Sequence, residues 1–417
     1  MSGTRAGGQA AATAFVPADK DPHAMPTYDF ETLVDRTRLS SAKWAAMHEA
    51  NPAVPAGVPP FSVADLDLPT APEIIEGLKV FLDDAVFGYT RPPASFIRAV
   101  VDWMARRHAW TVDPAWIVQS SGVVPAFFNA IRAYTQPGDG VIIQTPAYYP
   151  FYMAIERNHR HLVRNPLVLR DGRWQIDFDG LHRLAADRHN KLLLFCSPHN
   201  PTGRVWTRDE LAQVADIVLA NDLVLVSDEI HFDLVMPGHH HTVVSTLGEA
   251  IARRSVVCTA PSKTFNLAGL QTSNIVIADA DLRARFVTEL EATGFIFLTT
   301  LGYKACELAY TRGDAWLDGL LQLIQRNHER VKRIVGERLP AVTVFDLEGT
   351  YLQWMDFRGL GKSAEELKAI NEQQALVFFD EGTIFGAEGA GFERMNLATP
   401  TLAVDGALER LARCYAA

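Results

Sequence analysis

Leu192-Leu193-Leu194-Phe195-Cys196-Ser197-Pro198-His199-Asn200-Pro201-Thr202-Gly203 reads as a strand followed by the turn that ends it. Five apolar residues in unbroken succession are the pattern of a strand covered on both faces, and a helix-flanked parallel sheet supplies that cover. The Asn200-Pro201 pair marks the turn. A helical stretch follows at Arg208–Leu219, and a second apolar run at Leu223–Val226. Strand, helix and strand in succession predict an α/β fold with a mostly parallel sheet.

The same pattern extends in both directions. Ile117–Val118, Val141–Gln144, Val256–Thr259 and Asn274–Ile277 are further strand candidates. In such sheets, ligands bind beyond the carboxyl ends of the strands. Those ends carry polar residues here: Gln119-Ser120-Ser121-Gly122, Thr145-Pro146-Ala147-Tyr148, the Asn200 turn, Ser227-Asp228-Glu229-Ile230-His231 and Ala260-Pro261-Ser262-Lys263. One crevice could collect them all. Beyond Thr299 a long helical stretch, Leu317–Leu339, precedes strand candidates Val342–Phe345 and Tyr351–Met355. This predicts a smaller α+β C-terminal domain over 299–417, after a large domain over 66–298 and an N-terminal arm over 27–65 that contributes to the small domain.

The 417 residues, 48% of them hydrophobic, are enough for a substantial core. Net charge is −10, with Lys and Arg scattered, so no basic footprint for nucleic acid is present. Residues 1–26 are small and polar without an apolar signal core, and read as a disordered tail. No run of about 18 apolar residues exists, so no membrane span is expected. The four cysteines form no C-x-x-C pair; Cys196 and Cys258 lie in apolar runs and read as buried thiols. A reducing, cytoplasmic location fits. His239-His240-His241 lacks a carboxylate or Cys at ligand spacing, and reads as a solvated loop rather than a metal site.

Lys263 follows the run Val256–Thr259. A lysine held at a buried strand end loses solvation, and its pKa falls toward neutrality, which suits Schiff-base chemistry. A strand-end lysine that reaches out to solvent has the same local sequence, so the surrounding phrase decides. Ala260-Pro261-Ser262-Lys263-Thr264-Phe265-Asn266-Leu267-Ala268-Gly269-Leu270 resembles the cofactor-lysine motif of class I/II aminotransferase-like pyridoxal-phosphate (PLP) enzymes. Within them it is most similar to the MalY/PatB branch of cystathionine or cysteine-S-conjugate β-lyases. Ser227-Asp228-Glu229-Ile230-His231-Phe232-Asp233-Leu234 resembles the same branch, as do Tyr28-Asp29-Phe30, Asp35-Arg36 and Ser41-Ala42-Lys43-Trp44. Ordinary aminotransferases usually carry Tyr where His231 stands.

The resemblance implies a fold-type-I PLP-dependent transferase-like fold and a set of roles. Lys263 would hold PLP and move the substrate Cα proton. Asp228 would keep the pyridine nitrogen protonated, so that the ring withdraws electrons. His231 and Asn200 would lie near the 3-oxygen. Tyr148 would stack on the ring, with Tyr149 and Tyr152 as neighbouring alternatives. Gly122, Val123 and Val124, before a helix starting near Ala126, would cup the phosphate with Ser262. Tyr89 would reach that phosphate from the other subunit of a homodimer. Arg394, with Asn200, would bind the substrate α-carboxylate. Two departures stand out: Ala260 and Gln271 occupy positions where many aminotransferases have Ser and Arg. A third is Ser62, in Ser62-Val63-Ala64-Asp65-Leu66-Asp67, where the branch usually has Trp; it predicts a pocket of different shape, unless Phe61 fills the space. The implied reaction is cleavage of a cysteine S-conjugate such as L-cystathionine to thiol, pyruvate and ammonia. The alternatives are a PLP aminotransferase, using the same Lys263, Asp228 and Arg394, and a PLP-binding regulatory protein. Against the last, only a short, non-basic tail precedes Tyr28.

Overall fold

The apolar runs assemble into one seven-stranded sheet. The computed structural model describes residues 28–294 and 297–415, so the expectation of a disordered tail over 1–26 lies outside the described residues. In chain order the strands are β1 (Ile117–Ser120), β2 (Gly140–Thr145), β3 (His161–Pro166), a hairpin of β4 (Val168–Arg170) and β5 (Arg173–Gln175), β6 (Asn190–Cys196), β7 (Val224–Asp228), β8 (Ser255–Thr259) and β9 (Ser273–Val276). The sheet order is β1-β9-β8-β7-β6-β2-β3. Neighbours from β8 through to β3 run parallel. β9 alone is antiparallel, to β8 on one side and β1 on the other.

Alternate residues of the central strands feed two cores. Val141, Ile143, Leu192, Leu194, Val226 and Val256 pack with Phe127, Ala130 and Ile131 of the helix Val123–Tyr134. Ile142, Leu193, Phe195, Leu225 and Val257 face the opposite way and join Leu211, Val214 and Val218 of the helix Arg208–Ala220. Both faces are therefore dry, which is why these strands read as unbroken apolar runs. The crossover helix starts where Thr207 and Glu210 form a reciprocal capping box. β3, at the sheet edge, is half exposed and mixed in composition; its sequence carries no apolar run to announce it.

The C-terminal part holds the helix Asp314–Arg338 and a second, antiparallel sheet. Its strands are β10 (Thr343–Val344), β11 (Leu352–Asp356), β12 (Asp380–Glu381) and β13 (Phe392–Asn396), in the order β10-β11-β13-β12. The N-terminal segment docks on this sheet. Phe61 N–H donates to Phe378 O, and Asn396 N–H donates to Phe61 O, both at 2.8 Å. The helix Thr300–Arg312 packs against Pro72–Asp83 and Ala94–His108. Among the described residues no helix is long and apolar enough to cross a membrane.

Candidate active site

Because β1, β6, β7 and β8 share one direction, their carboxyl ends open on one edge of the sheet. There they line a cavity of about 200 Å³. Ser121 to Pro125 come from the end of β1, Cys196 and Asn200 from β6, Asp228 and His231 from β7, and Ser262 and Lys263 from β8. The antiparallel β9 begins at this edge and supplies Gln271, Thr272 and Ser273. The small sheet closes the opposite wall with Asp380 and Arg394, and the N-terminal segment adds Val63 and Ala64.

One end of the cavity is built for an anion. Gly122 caps the helix Val123–Tyr134, which begins three residues earlier than the sequence suggested. The N–H groups of Val123 and Val124 have no intrahelical acceptor, and the first turn carries no acidic residue. Ser262 faces the same cavity. Gln271 reaches it as well, so an amide stands there in place of a guanidinium.

The middle of the cavity carries the titratable groups. Asp228 is 3% exposed, and among the described residues its carboxylate accepts only the Ile230 N–H, at 3.2 Å. Burial pushes its pKa up to about 7, against the Ile230 hydrogen bond and the Lys263 charge, which pull it down. Burial lowers Lys263 to about 8, partly offset by Asp65. Its Nζ donates to Ala64 O at 2.8 Å. His231 is held neutral by burial and by the charges of Lys263 and Arg394, and its Nδ1 has no partner among the described residues.

At the far end, Arg394 is fixed from three sides. Nη1 donates to Asn200 Oδ1 at 2.7 Å, Nη2 donates to Asp380, and the guanidinium lies 4.7 Å above the Phe385 ring. Its Nε is buried without a partner among the described residues. A buried guanidinium with a free donor is a ready receptor for a carboxylate.

The arm motifs converge beneath Ala64. Lys43 Nζ lies 2.9 Å from Asp65 and 2.8 Å from Asp67. Arg36 reaches both carboxylates, and Trp44 Nε1 donates to Asp67 at 3.0 Å. Burial raises the Asp65 pKa, but Lys43 and Arg36 outweigh it and hold the group below its ordinary value. Asn396 Nδ2 donates to the carbonyls of Val63 and Asp65, and Asn266 Oδ1 accepts the Leu66 N–H. This cluster holds the carbonyl that meets Lys263.

The class I and II aminotransferase model matches residues 58–411. The chain belongs to that family. Within this aminotransferase family it is 39% identical to cystathionine beta-lyase PatB of Bacillus subtilis, over 92% of this chain and 98% of the relative. It is 33% identical to protein MalY of Escherichia coli, over 89% and 95%. The crystal structure of cystalysin from Treponema denticola, which contains a pyridoxal 5'-phosphate cofactor, matches with a TM-score of 0.92 and 49% identity, over 93% of this chain and 99% of that one. The expected fold-type-I architecture, with its large mixed sheet and flanking helices, is the one observed.

Of the residues singled out in the sequence, the cavity gathers Gly122, Val123, Val124, Tyr148, Asn200, Asp228, His231, Ser262, Lys263 and Arg394. Tyr148 and Tyr149 both line it; Tyr152 is turned away, donating to Phe385 O at 2.8 Å. Tyr89 lies outside it, 95% exposed and 5.6 Å from the Phe297 ring. Ser62 is not in the lining, and Phe61 is buried in the core rather than turned into the cavity. The reading of His239–His241 as a solvated loop needs correction. His239 and His240 are exposed, but His241 is buried, its Nε2 2.8 Å from Glu229 Oε2. Glu229 is buried and needs a partner, a demand invisible in a run of three histidines. Asp380 and Thr272 were not foreseen. An acid in Phe378-Phe379-Asp380-Glu381-Gly382 carries no signal; its place comes from the β12–β13 register, which sets Asp380 opposite Arg394.

Proposed function

We propose that this protein is a PLP-dependent carbon–sulfur β-lyase. It cleaves L-cystathionine or a related cysteine S-conjugate, with water, to a thiol, pyruvate and ammonia. The pairing, in one cavity, of a lysine with lowered pKa and a buried carboxylate supports the PLP chemistry, and the likeness to cystathionine beta-lyase PatB supports the lyase outcome. The residues fit PLP: N–H donors at Val123 and Val124 with Ser262 for the phosphate, Asp228 for the ring nitrogen, and Tyr148, Asn200 and His231 for the ring and its 3-oxygen. Bound there, PLP supplies an aldehyde that takes up an amine and a protonated ring that withdraws electrons from the carbon beside that amine.

The chain's own groups do the rest. Asp228, whose carboxylate accepts the Ile230 N–H, would hold a proton on the ring nitrogen. Arg394 and Asn200 grip the substrate α-carboxylate and so aim the Cα–H bond. Lys263 Nζ, near neutrality, takes the Cα proton and can return it to the departing sulfur. Loss of the thiolate from Cβ separates this chemistry from transamination.

We further propose a homodimer. Val80, Val86, Phe87 and Tyr89 are between 64% and 95% exposed in one short stretch. Pairing through this face covers them and lets Tyr89 of the partner subunit reach the phosphate end. The free cysteines, Cys196, Cys258 and Cys306 buried and Cys414 half-buried, fit a cytoplasmic enzyme. We also propose the division into an arm over 27–65, a large domain over 66–298 and a small domain over 299–417; it is supported by the second sheet, whose strands all lie between residues 343 and 396.

The test is stoichiometry. With L-cystathionine as sole substrate, pyruvate and ammonia should appear in equal amounts. A strict requirement for 2-oxoglutarate would make the protein an aminotransferase instead.

A further inference from the structure

Asp380 sits where the substrate carboxylate must bind. Its Oδ2 accepts from Arg394 Nη2 and also from the Val63 N–H at 2.8 Å. The side chain is 13% exposed and faces the cavity. Among the described residues, four charged ones line this space: Lys263, Arg394, Asp228 and Asp380. Of the two acids, Asp228 is committed to the cofactor end under the lyase reading. Asp380 is left on the substrate side, and that reading gives it no task.

We propose that Asp380 determines substrate specificity by charge, disfavouring S-conjugates with an anionic side chain and favouring neutral or cationic ones. The inference rests on the lyase reading. Its physical basis is reach. A substrate carboxylate held by Arg394 lies beside Asp380, because both touch one guanidinium. An amino-acid substrate is short, so any charge on its side chain falls within about 10 Å of Asp380, comparable with the screening length of physiological salt. In a largely enclosed cavity that charge is felt more strongly than in water. Asp65, the other carboxylate nearby, is compensated by Lys43 and Arg36. Asp380 has only Arg394, whose charge the substrate α-carboxylate claims in turn. The field left in the occupied site is therefore that of an extra negative charge. Consistent with this, Asp380 acts to raise the Lys263 pKa.

The experiment compares three S-conjugates of L-cysteine on the PLP-loaded enzyme: S-(2-aminoethyl), S-ethyl and S-carboxymethyl. Wild type should prefer them in that order by kcat/KM. Asp380→Asn should lower the aminoethyl-to-carboxymethyl ratio by about tenfold or more, and Asp380→Glu should restore most of it. A merely structural role would lower all three together and leave the ratio in place. A ratio in Asp380→Asn within about twofold of wild type overturns the proposal. If wild type releases no pyruvate from S-ethyl-cysteine, the lyase reading itself has failed, which is a distinct outcome.

Discussion

Asp228→Asn should move two observables in opposite directions. In the cofactor-free protein the Asp228 carboxylate is buried against a single N–H donor, and burial raises its pKa from 3.8 to about 7. A carboxyl group with a raised folded pKa destabilises the fold as it ionises. The cost begins near pH 4, grows with pH and is complete above about pH 7. A shift of about three units corresponds to ~4 kcal/mol as a ceiling, and ~2–4 kcal/mol after relaxation is allowed for. Asparagine keeps the Oδ1 acceptor for Ile230 and carries no charge. The stripped Asn variant should therefore melt a few degrees above stripped wild type at pH 8, and the gap should close toward pH 4. With PLP the order reverses. Asparagine cannot hold a proton on the ring nitrogen, so kcat/KM for L-cystathionine should fall by about a thousandfold, ~4 kcal/mol of transition-state stabilisation. Calorimetry of the stripped proteins and a pyruvate assay of the loaded ones check both halves. A stripped variant that melts below wild type at pH 8 refutes the burial argument. Turnover within about threefold of wild type refutes the assignment of Asp228 to the ring nitrogen.

Lys263→Ala should abolish lyase turnover and leave no cofactor attached after borohydride reduction, whereas the wild-type peptide containing Lys263 should carry it; mass spectrometry reads the difference. Lys43→Met removes one of the two cations that face the half-buried Asp65 and the buried Asp67, leaving Arg36 to serve both; the loss should cost about 1–3 kcal/mol in denaturant unfolding. If Tyr89 serves the neighbouring site, Tyr89→Ala and Lys263→Ala proteins, each inactive or weak alone, should regain up to about a quarter of wild-type activity when unfolded and refolded together, through mixed dimers with one intact site. No gain on mixing would place both residues in the same subunit's site.

The sequence by itself determined the central strands of the sheet and the identity of its cofactor end. Strands covered on both faces need apolar side chains at every position, so β2, β6, β7 and β8 wrote themselves as continuous runs. The polar residues that interrupt those runs had to lie at the carboxyl edge, and the phrases around Asp228 and Lys263 were distinctive enough to carry a family. Only the tertiary structure decided the other wall. β3 is an edge strand with no apolar signature. β9 runs antiparallel, which no local pattern encodes, and so brings Gln271, Thr272 and Ser273 to the site from its start rather than its end. Asp380 meets Arg394 through strand register, and Lys43, Arg36, Asp65 and Asp67 meet through the docking of the arm. Such pairings depend on which segments pack side by side, and a buried charge is satisfied by whatever the fold brings to it, however distant in the chain.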